Sequence, residues 1–240
     1  MSVPPSPPAA DRRRLWDISP PVDPQSPVFP GDVPFTLTTT FGPGPVTVVA
    51  LHCSGHVGAH ADAPLHYLAS ADSTRDPDGG GPDGTTGTDG TAGTDGTDAA
   101  SLDLAAYLGP ARVVHAIEVG RLLGWAHLAH AARGLPPRVL VRTHRRAPRR
   151  WDPEFTAWDP GLLDRLAGLG VVLVGTDGAS LDPADSTELP AHHALGRGGM
   201  HVLENLCLDS VPEGDYELIA LPLRLVGADA SPVRAVLREW

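Results

Sequence analysis

The chain of 240 residues has no lysine, so all 18 of its basic residues are arginine. Against 29 acidic residues this leaves a formal charge of −11, which argues against a nucleic-acid partner or an anionic membrane surface. Cysteine is almost as scarce. Cys53 and Cys207 stand far apart with no Cys-x-x-Cys pair, so neither a thiolate zinc site nor a disulfide framework is indicated. Cys53 is expected to be a small buried residue rather than a nucleophile. No apolar run is long enough to span a bilayer, and the first 14 residues carry prolines and Arg12-Arg13-Arg14 but no apolar signal segment. A reducing cytoplasm is therefore the expected location. The motifs Gly-x-Ser-x-Gly, Gly-x-Gly-x-x-Gly and the P-loop are also missing, which leaves a serine triad, dinucleotide binding and nucleotide hydrolysis without support.

What is present suits one folded domain. A hydrophobic content of 41% is ordinary for a globular protein, and a chain of this length can bury a full core. Residues 1–14 are expected to be a disordered tail, followed by a single catalytic domain over 15–240. Within it, an Asp/Gly/Thr-rich insertion at about 72–100 repeats Gly-Thr-Asp-Gly with almost no apolar residue, and 72–98 holds seven Asp against one Arg. Such a segment cannot bury enough surface to offset its ordering entropy and is expected to be a flexible insertion. It lacks both the glycine-rich calcium nonapeptide and the EF-hand spacing.

Strand character appears at 15–19, 36–40, 46–51, 112–118, 138–143, 171–176, 200–206, 217–221 and 234–237. Leu162, Leu163, Leu166 and Leu169 recur at helical spacing over 160–169, and a short helix is expected over 189–195. The strand–helix–strand unit over 138–176 within a strand-rich chain predicts an α/β fold with a mixed sheet.

The chemistry concentrates in His56-x-Gly58-x-His60-x-Asp62-x-Pro64-x-His66, directly after a strand. Gly55, Gly58 and Pro64 argue against a regular helix there. Three imidazoles and a carboxylate suit zinc first, with manganese or iron next. Paired metals need a bridging carboxylate and ligands from elsewhere. The candidates are Glu204, within an apolar strand where an unpaired carboxylate is costly, and His192 or His193. Glu204 could equally lie on the solvent face of its strand. Ser180 is expected in a structural turn. A divalent cation lowers the pKa of water toward neutrality, and an imidazole, with its ordinary pKa near 6.5, is suited to protonate a leaving nitrogen. His66 is the candidate for that role, because Pro64 sets it apart.

These residues resemble the signature of the metal-dependent cyclase family, and within it the bacterial kynurenine formamidase (arylformamidase) branch. Leu15-Trp16-Asp17-Ile18-Ser19, Val28-Phe29-Pro30-Gly31-Asp32, Asp62-Ala63-Pro64-Leu65-His66-Tyr67, Ser180-Leu181-Asp182-Pro183 and the stretches 214–222 and 229–237 carry the likeness further. The resemblance implies a swivelling β/β/α-type single domain, usually a homodimer, that hydrolyses N-formyl-L-kynurenine to L-kynurenine and formate in tryptophan degradation. By motif, His56, His60 and Asp62 would hold one zinc. Asp62 and Glu204 would bridge to a second zinc completed by His192, while His193 aligns with a non-ligand. His66 would carry the proton. Two Zn2+ per subunit are implied, with Mn2+ as an alternative. Phe29 stands where the family typically has a substrate-contacting Trp; it keeps an aromatic wall but lacks the indole N–H. The rival functions are hydrolysis of a cyclic amide such as isatin by the same loop, and a non-catalytic metal-binding protein.

Overall fold

The computed structural model describes residues 13–41, 46–68 and 97–240. The expectations for the tail and for most of the Asp/Gly-rich insertion therefore lie outside the described residues.

Among the described residues thirteen strands follow in chain order: β1 (Leu15–Asp17), β2 (Thr36–Phe41), β3 (Thr47–His52), β4 (His60–Asp62), β5 (Leu108–His115), β6 (Leu122–Leu123), β7 (Arg138–Arg142), β8 (Ala157–Trp158), β9 (Leu173–Thr176), β10 (His201–Glu204), β11 (Gly214–Ile219), β12 (Ala230–Pro232) and β13 (Val236–Arg238). The helices are α1 (Pro64–Leu68), α2 (Trp125–Leu128), α3 (Pro160–Gly168) and α4 (Pro190–Arg197). Nine strands form one mixed sheet in the order β1-β13-β11-β5-β7-β9-β10-β4-β12. Its centre, β5-β7-β9-β10, is parallel, and antiparallel strands extend both edges. The fold is thus a single-domain α/β arrangement around a large mixed sheet.

Strand alternation builds two core layers, one on each face. Val139, Val141, Val174 and Val202 pack with Leu162, Leu163 and Leu166 of α3 and with Ala191, Ala194 and Leu195 of α4. Leu140, Leu173, Leu203 and Ala61 pack on the opposite face with Trp16, Ile18 and Tyr107. The central strands are therefore buried on both sides, which is why they read as unbroken apolar runs. Gly175 leaves room for its neighbours: a Cβ there would stand 2.4 Å from Leu140 Cδ2. Helix α3 starts cleanly because the Asp159 side chain accepts the Gly161 N–H and Pro160 occupies the first turn.

Several elements differ from expectation. The metal-motif segment is not one loop: His60–Asp62 is a sheet strand, and Pro64 opens the short helix α1 rather than blocking one. Proline is compatible with a first helical turn, where its missing N–H costs nothing. The strand expected at 112–118 begins earlier, at Leu108, and ends at His115. The C-terminal stretch splits into β12, paired with β4, and β13, paired with β1 and β11. Cys53 is half-exposed rather than buried.

Strands β2 and β3 form a separate hairpin, with Leu37 opposite Leu51 and Thr39 opposite Val49. All six residues of β3 are exposed, Leu51 at 68%. Among the described residues no helix is long and apolar enough to cross a membrane.

Candidate metal centre

Strand β4 explains how the motif delivers its side chains. With a period of two, His60 and Asp62 fall on one face and Ala61 on the other. The register sets His60 directly opposite Glu204 of β10. Ala61 joins the core layer of the opposite face, so His60, Asp62 and Glu204 share the face covered by α4. His192, on the buried side of α4, reaches the same place. His193, one residue on, is exposed.

Four residues thereby converge while almost wholly buried. His60 Nε2 lies 3.3 Å from Asp62 Oδ1 and 3.5 Å from Glu204 Oε2. His192 Nε2 lies 3.4 Å from Asp62 Oδ2 and 3.5 Å from Glu204 Oε1. His56, only partly covered, places Nδ1 at 3.1 Å from Asp62 Oδ1. The alternative for Glu204, a solvent-facing strand position, is overturned by its burial.

The orientation of these atoms suits a candidate metal centre. Both Asp62 oxygens and the Nε2 atoms of His60 and His192 are buried without an aligned hydrogen-bond partner. Leaving such a group unsatisfied costs about 1–3 kcal/mol each. A shared cation would satisfy all four, and imidazole nitrogen with carboxylate oxygen is a donor set that divalent metals accept. Two groups have close-packed ligand atoms, His56/Asp62/His66 and His60/Asp62/Glu204. Asp62 belongs to both, which is the arrangement a bridging carboxylate requires.

The supporting contacts fix the two buried rings. His60 Nδ1 donates to the carbonyl of Gly58 at 2.9 Å. His192 Nδ1 donates to Asp182 Oδ2 at 2.6 Å, and Asp182 also accepts the backbone N–H groups of Ala191 and His192. Each bond leaves Nε2 of the ring facing the cluster, as is typical of ligating histidines. Gly58 has φ +67°, and a Cβ there would meet Val22 Cγ2 at 2.5 Å, so only glycine fits. Glu204 Oε1 also accepts the Leu181 N–H. Ser180 lies in the turn beside these residues, and its hydroxyl accepts the Asp182 N–H.

Asp182 and Asp229 were not singled out in the sequence. Asp182 follows a strand end within a Pro/Ser/Asp turn, where a carboxylate ordinarily serves the turn itself. Asp229 Oδ2 lies 3.2 Å from His56 Nε2 and 3.3 Å from His66 Nδ1. His66 is on α1, exposed, with its ring 4.3 Å from that of His56 and 6.0 Å from that of His192.

The electrostatics follow from this crowding. Burial works against a charge on His56, but Asp229 and Asp62 prevail and raise its pKa to about 10. Burial likewise opposes charge on His60, and Asp62 with Glu204 raises its pKa to about 9. His192 is buried too, yet Asp182, Asp62 and Glu204 hold it well above the usual value. Asp62, despite its burial, is held well below the ordinary carboxylate range by the three surrounding imidazoles. Without a metal the imidazoles take up protons in its place.

A cavity of about 640 Å³ opens onto these groups. His56, His60, His66, His192, Glu204 and Asp229 line it, together with the aromatics Phe29, Trp151 and Phe155. Phe29 meets Trp151 edge-on at 4.7 Å, and Trp151 meets Phe155 at 6.1 Å. Phe29 is 40% exposed and so does not plug the core.

Residues 16–183 match the Cyclase family model, described as "Putative cyclase". A kynurenine formamidase of Delftia acidovorans is 55% identical over 229 residues, covering 94% of this chain and 98% of that protein. A kynurenine formamidase of Bordetella pertussis is 51% identical over 234 residues, covering 95% of this chain and 99% of the relative. Among solved structures, the predicted metal-dependent hydrolase from Bacillus stearothermophilus superimposes with a TM-score of 0.73 at 24% identity, covering 95% of this chain and 99% of that one. Isatin hydrolase A from Labrenzia aggregata has the same fold, with a TM-score of 0.73 at 20% identity over 95% of this chain and 94% of that one.

Proposed function

Because this chain belongs to the cyclase family, we propose that it is a metal-dependent amidohydrolase that converts N-formyl-L-kynurenine to L-kynurenine and formate. The observation that supports the metal centre is the convergence of four buried polar atoms of His60, Asp62 and His192, none with an aligned hydrogen-bond partner, beside Glu204. The relatives named kynurenine formamidase, about half identical over nearly the full chain, support the substrate.

We assign His56, His60, Asp62, His192 and Glu204 as metal ligands for two Zn2+ ions, with Mn2+ as the alternative. When bound, such ions supply a nucleophilic water at neutral pH and polarise the formyl carbonyl. The chain's own residues do the rest. His60 and His192 present fixed Nε2 atoms because Gly58 and Asp182 hold their other nitrogens. Phe29 and Trp151 offer an aromatic edge and face for the anilide ring. His66 is assigned the proton. Its Nδ1 faces Asp229, which accepts from it and fixes the ring, leaving Nε2 to take a proton from the attacking water and deliver it to the leaving aniline nitrogen. Burial of His60, His192 and Glu204 keeps bulk water from competing for these positions.

A homodimer is proposed on the β2–β3 hairpin, where Leu37, Val48, Val49 and Leu51 lie exposed on a two-stranded ribbon that is only marginally stable alone. A second copy of the chain is the proposed cover.

The test of function is turnover of N-formyl-L-kynurenine by purified protein before and after chelation, with metal content measured in parallel. Activity should vanish with the metal and return with Zn2+. Full activity of verified metal-free protein would defeat the assignment.

A further inference from the structure

We propose that Arg149 and Arg150 form a carboxylate-recognition element at the exposed edge of the active-site cavity, making the enzyme selective for arylformamides that carry a free amino-acid carboxylate. The proposal rests on the formamidase function above and adds to it the feature that selects among formamides.

Three observations carry it. First, among the described residues Arg149 and Arg150 are the only arginines lining the cavity, which is otherwise rich in acids, in a chain of net charge −11. Second, neither forms an ion pair or side-chain hydrogen bond with another described residue. Several arginines away from the cavity are paired, Arg112 with Asp215, Arg145 with Glu118 and Arg234 with Asp17; Arg133, Arg146 and Arg224 are not paired with another described residue, but none of these three lines the cavity. The nearby acids are engaged locally. Asp23, Asp32, Asp152 and Asp209 accept the backbone N–H groups of Gln25, Val33, Glu154 and Ala147. The two guanidinium groups are therefore left with their donors for a ligand.

Third, the segment bearing them is held in place at its base. Asp177 is fully buried and takes the N–H and hydroxyl of Thr143 at 2.8 and 2.6 Å and the N–H of His144 at 2.9 Å. Arg142 bonds the carbonyls of His144 and Arg145, and Phe155 is buried on the far side. Trp151, next in sequence to Arg150, packs against Phe29. An anilide ring resting on this aromatic pair would lie in the cavity that Arg149 and Arg150 also line. A planar guanidinium matches a carboxylate bidentately, which a solvated lysine would not do as well. Isatin carries no carboxylate, so the same feature favours the open-chain substrate over it.

The test uses the metal-loaded full chain and two substrates, N-formyl-L-kynurenine and ortho-formamidoacetophenone. The second keeps the formanilide and ketone but lacks the amino-acid group. The Arg149→Ala/Arg150→Ala double variant should raise KM for N-formyl-L-kynurenine on the order of 10- to 100-fold, with kcat/KM for the acetophenone within about twofold of wild type. Raising ionic strength should weaken wild-type binding of the first substrate and spare the second. The corresponding double lysine variant should recover part of the loss. Unchanged KM for N-formyl-L-kynurenine, or equal losses on both substrates, overturns the proposal. A wild-type enzyme that hydrolyses neither substrate overturns the formamidase assignment instead, and the selectivity claim with it.

Discussion

His60 stands directly opposite Glu204 across the β4–β10 ladder, their side chains on the same face with Nε2 and Oε2 3.5 Å apart. Cross-strand neighbours lie closer than most pairs that sequence distance separates, and this one joins residues 144 positions apart in a single register. Any slip by one residue would turn His60 and Asp62 into the opposite core layer and empty the centre.

Substituting His60 and His66 separates ligand from proton carrier. His60→Ala should lose metal and activity together. His66→Ala should retain metal while losing turnover by about 10²–10⁴-fold, the usual worth of general acid–base catalysis. His66 also shares a close-packed group with His56 and Asp62, so elemental analysis of His66→Ala is decisive: an empty site would make it a ligand.

Asp182→Asn should act through His192. The amide keeps the size of the side chain but cannot accept from His192 Nδ1 and both backbone N–H groups as a carboxylate does. Metal affinity should fall about 10–100-fold, the typical cost of losing such a supporting partner. Competition against a chelator gives the number, and circular dichroism should show an unchanged fold.

The metal-free protein should lose stability as pH rises. His56 and His60 have folded pKa values raised to about 10 and about 9 from 6.5. Their stabilising contribution is fully present below about pH 6.5 and is lost as pH climbs through 9 to 10. Metal requires neutral imidazole, so loading releases protons and strengthens over the same range. Thermal melts of the two forms should diverge with increasing pH; parallel curves would contradict the sign. Calorimetry in buffers of differing ionisation enthalpy counts the protons.

Phe29→Trp should leave the melting temperature nearly unchanged, because the ring is 40% exposed in the cavity. KM for N-formyl-L-kynurenine should change, the added N–H being worth about 0.5–1.5 kcal/mol if it reaches a substrate oxygen. Strong destabilisation with wild-type KM would show that the position serves packing instead.

Leu51→Asp should dissociate the proposed dimer. Leu51 is 68% exposed and pairs with Leu37 on the hairpin, so a charge there disrupts no core but opposes burial against a second copy. Light scattering after size-exclusion chromatography would register a shift from dimer to monomer; a wild-type protein already monomeric would rule the interface out.

The central strands and α3 were legible because burial on both faces writes continuous Val/Leu runs, and because Leu162, Leu163 and Leu166 repeat at helical spacing. The spacing of His60, Ala61 and Asp62 already held the period of a strand, but the surrounding glycines and Pro64 spoke for a loop. All five proposed ligands were named from sequence, and the structure gathers them. Asp182 and Asp229 were not, because each depends on a contact made only after folding: Asp229 meets His56 from 173 residues away. Strand β12 was hidden for the same reason. Ala230-Ser231-Pro232 has little intrinsic strand preference and is recruited by pairing with β4. Arg149 and Arg150 belong to none of the sequence motifs, and only the path of their segment past Phe29 puts them at the cavity.

Strand β4 is enclosed by β10 on one side and β12 on the other, and both are synthesised long after it. The histidine motif is therefore made as a strand that gains its first sheet neighbour only with β10 and its second only with β12. The five proposed ligands include His192 and Glu204, so the full set is assembled only after very long loops have closed.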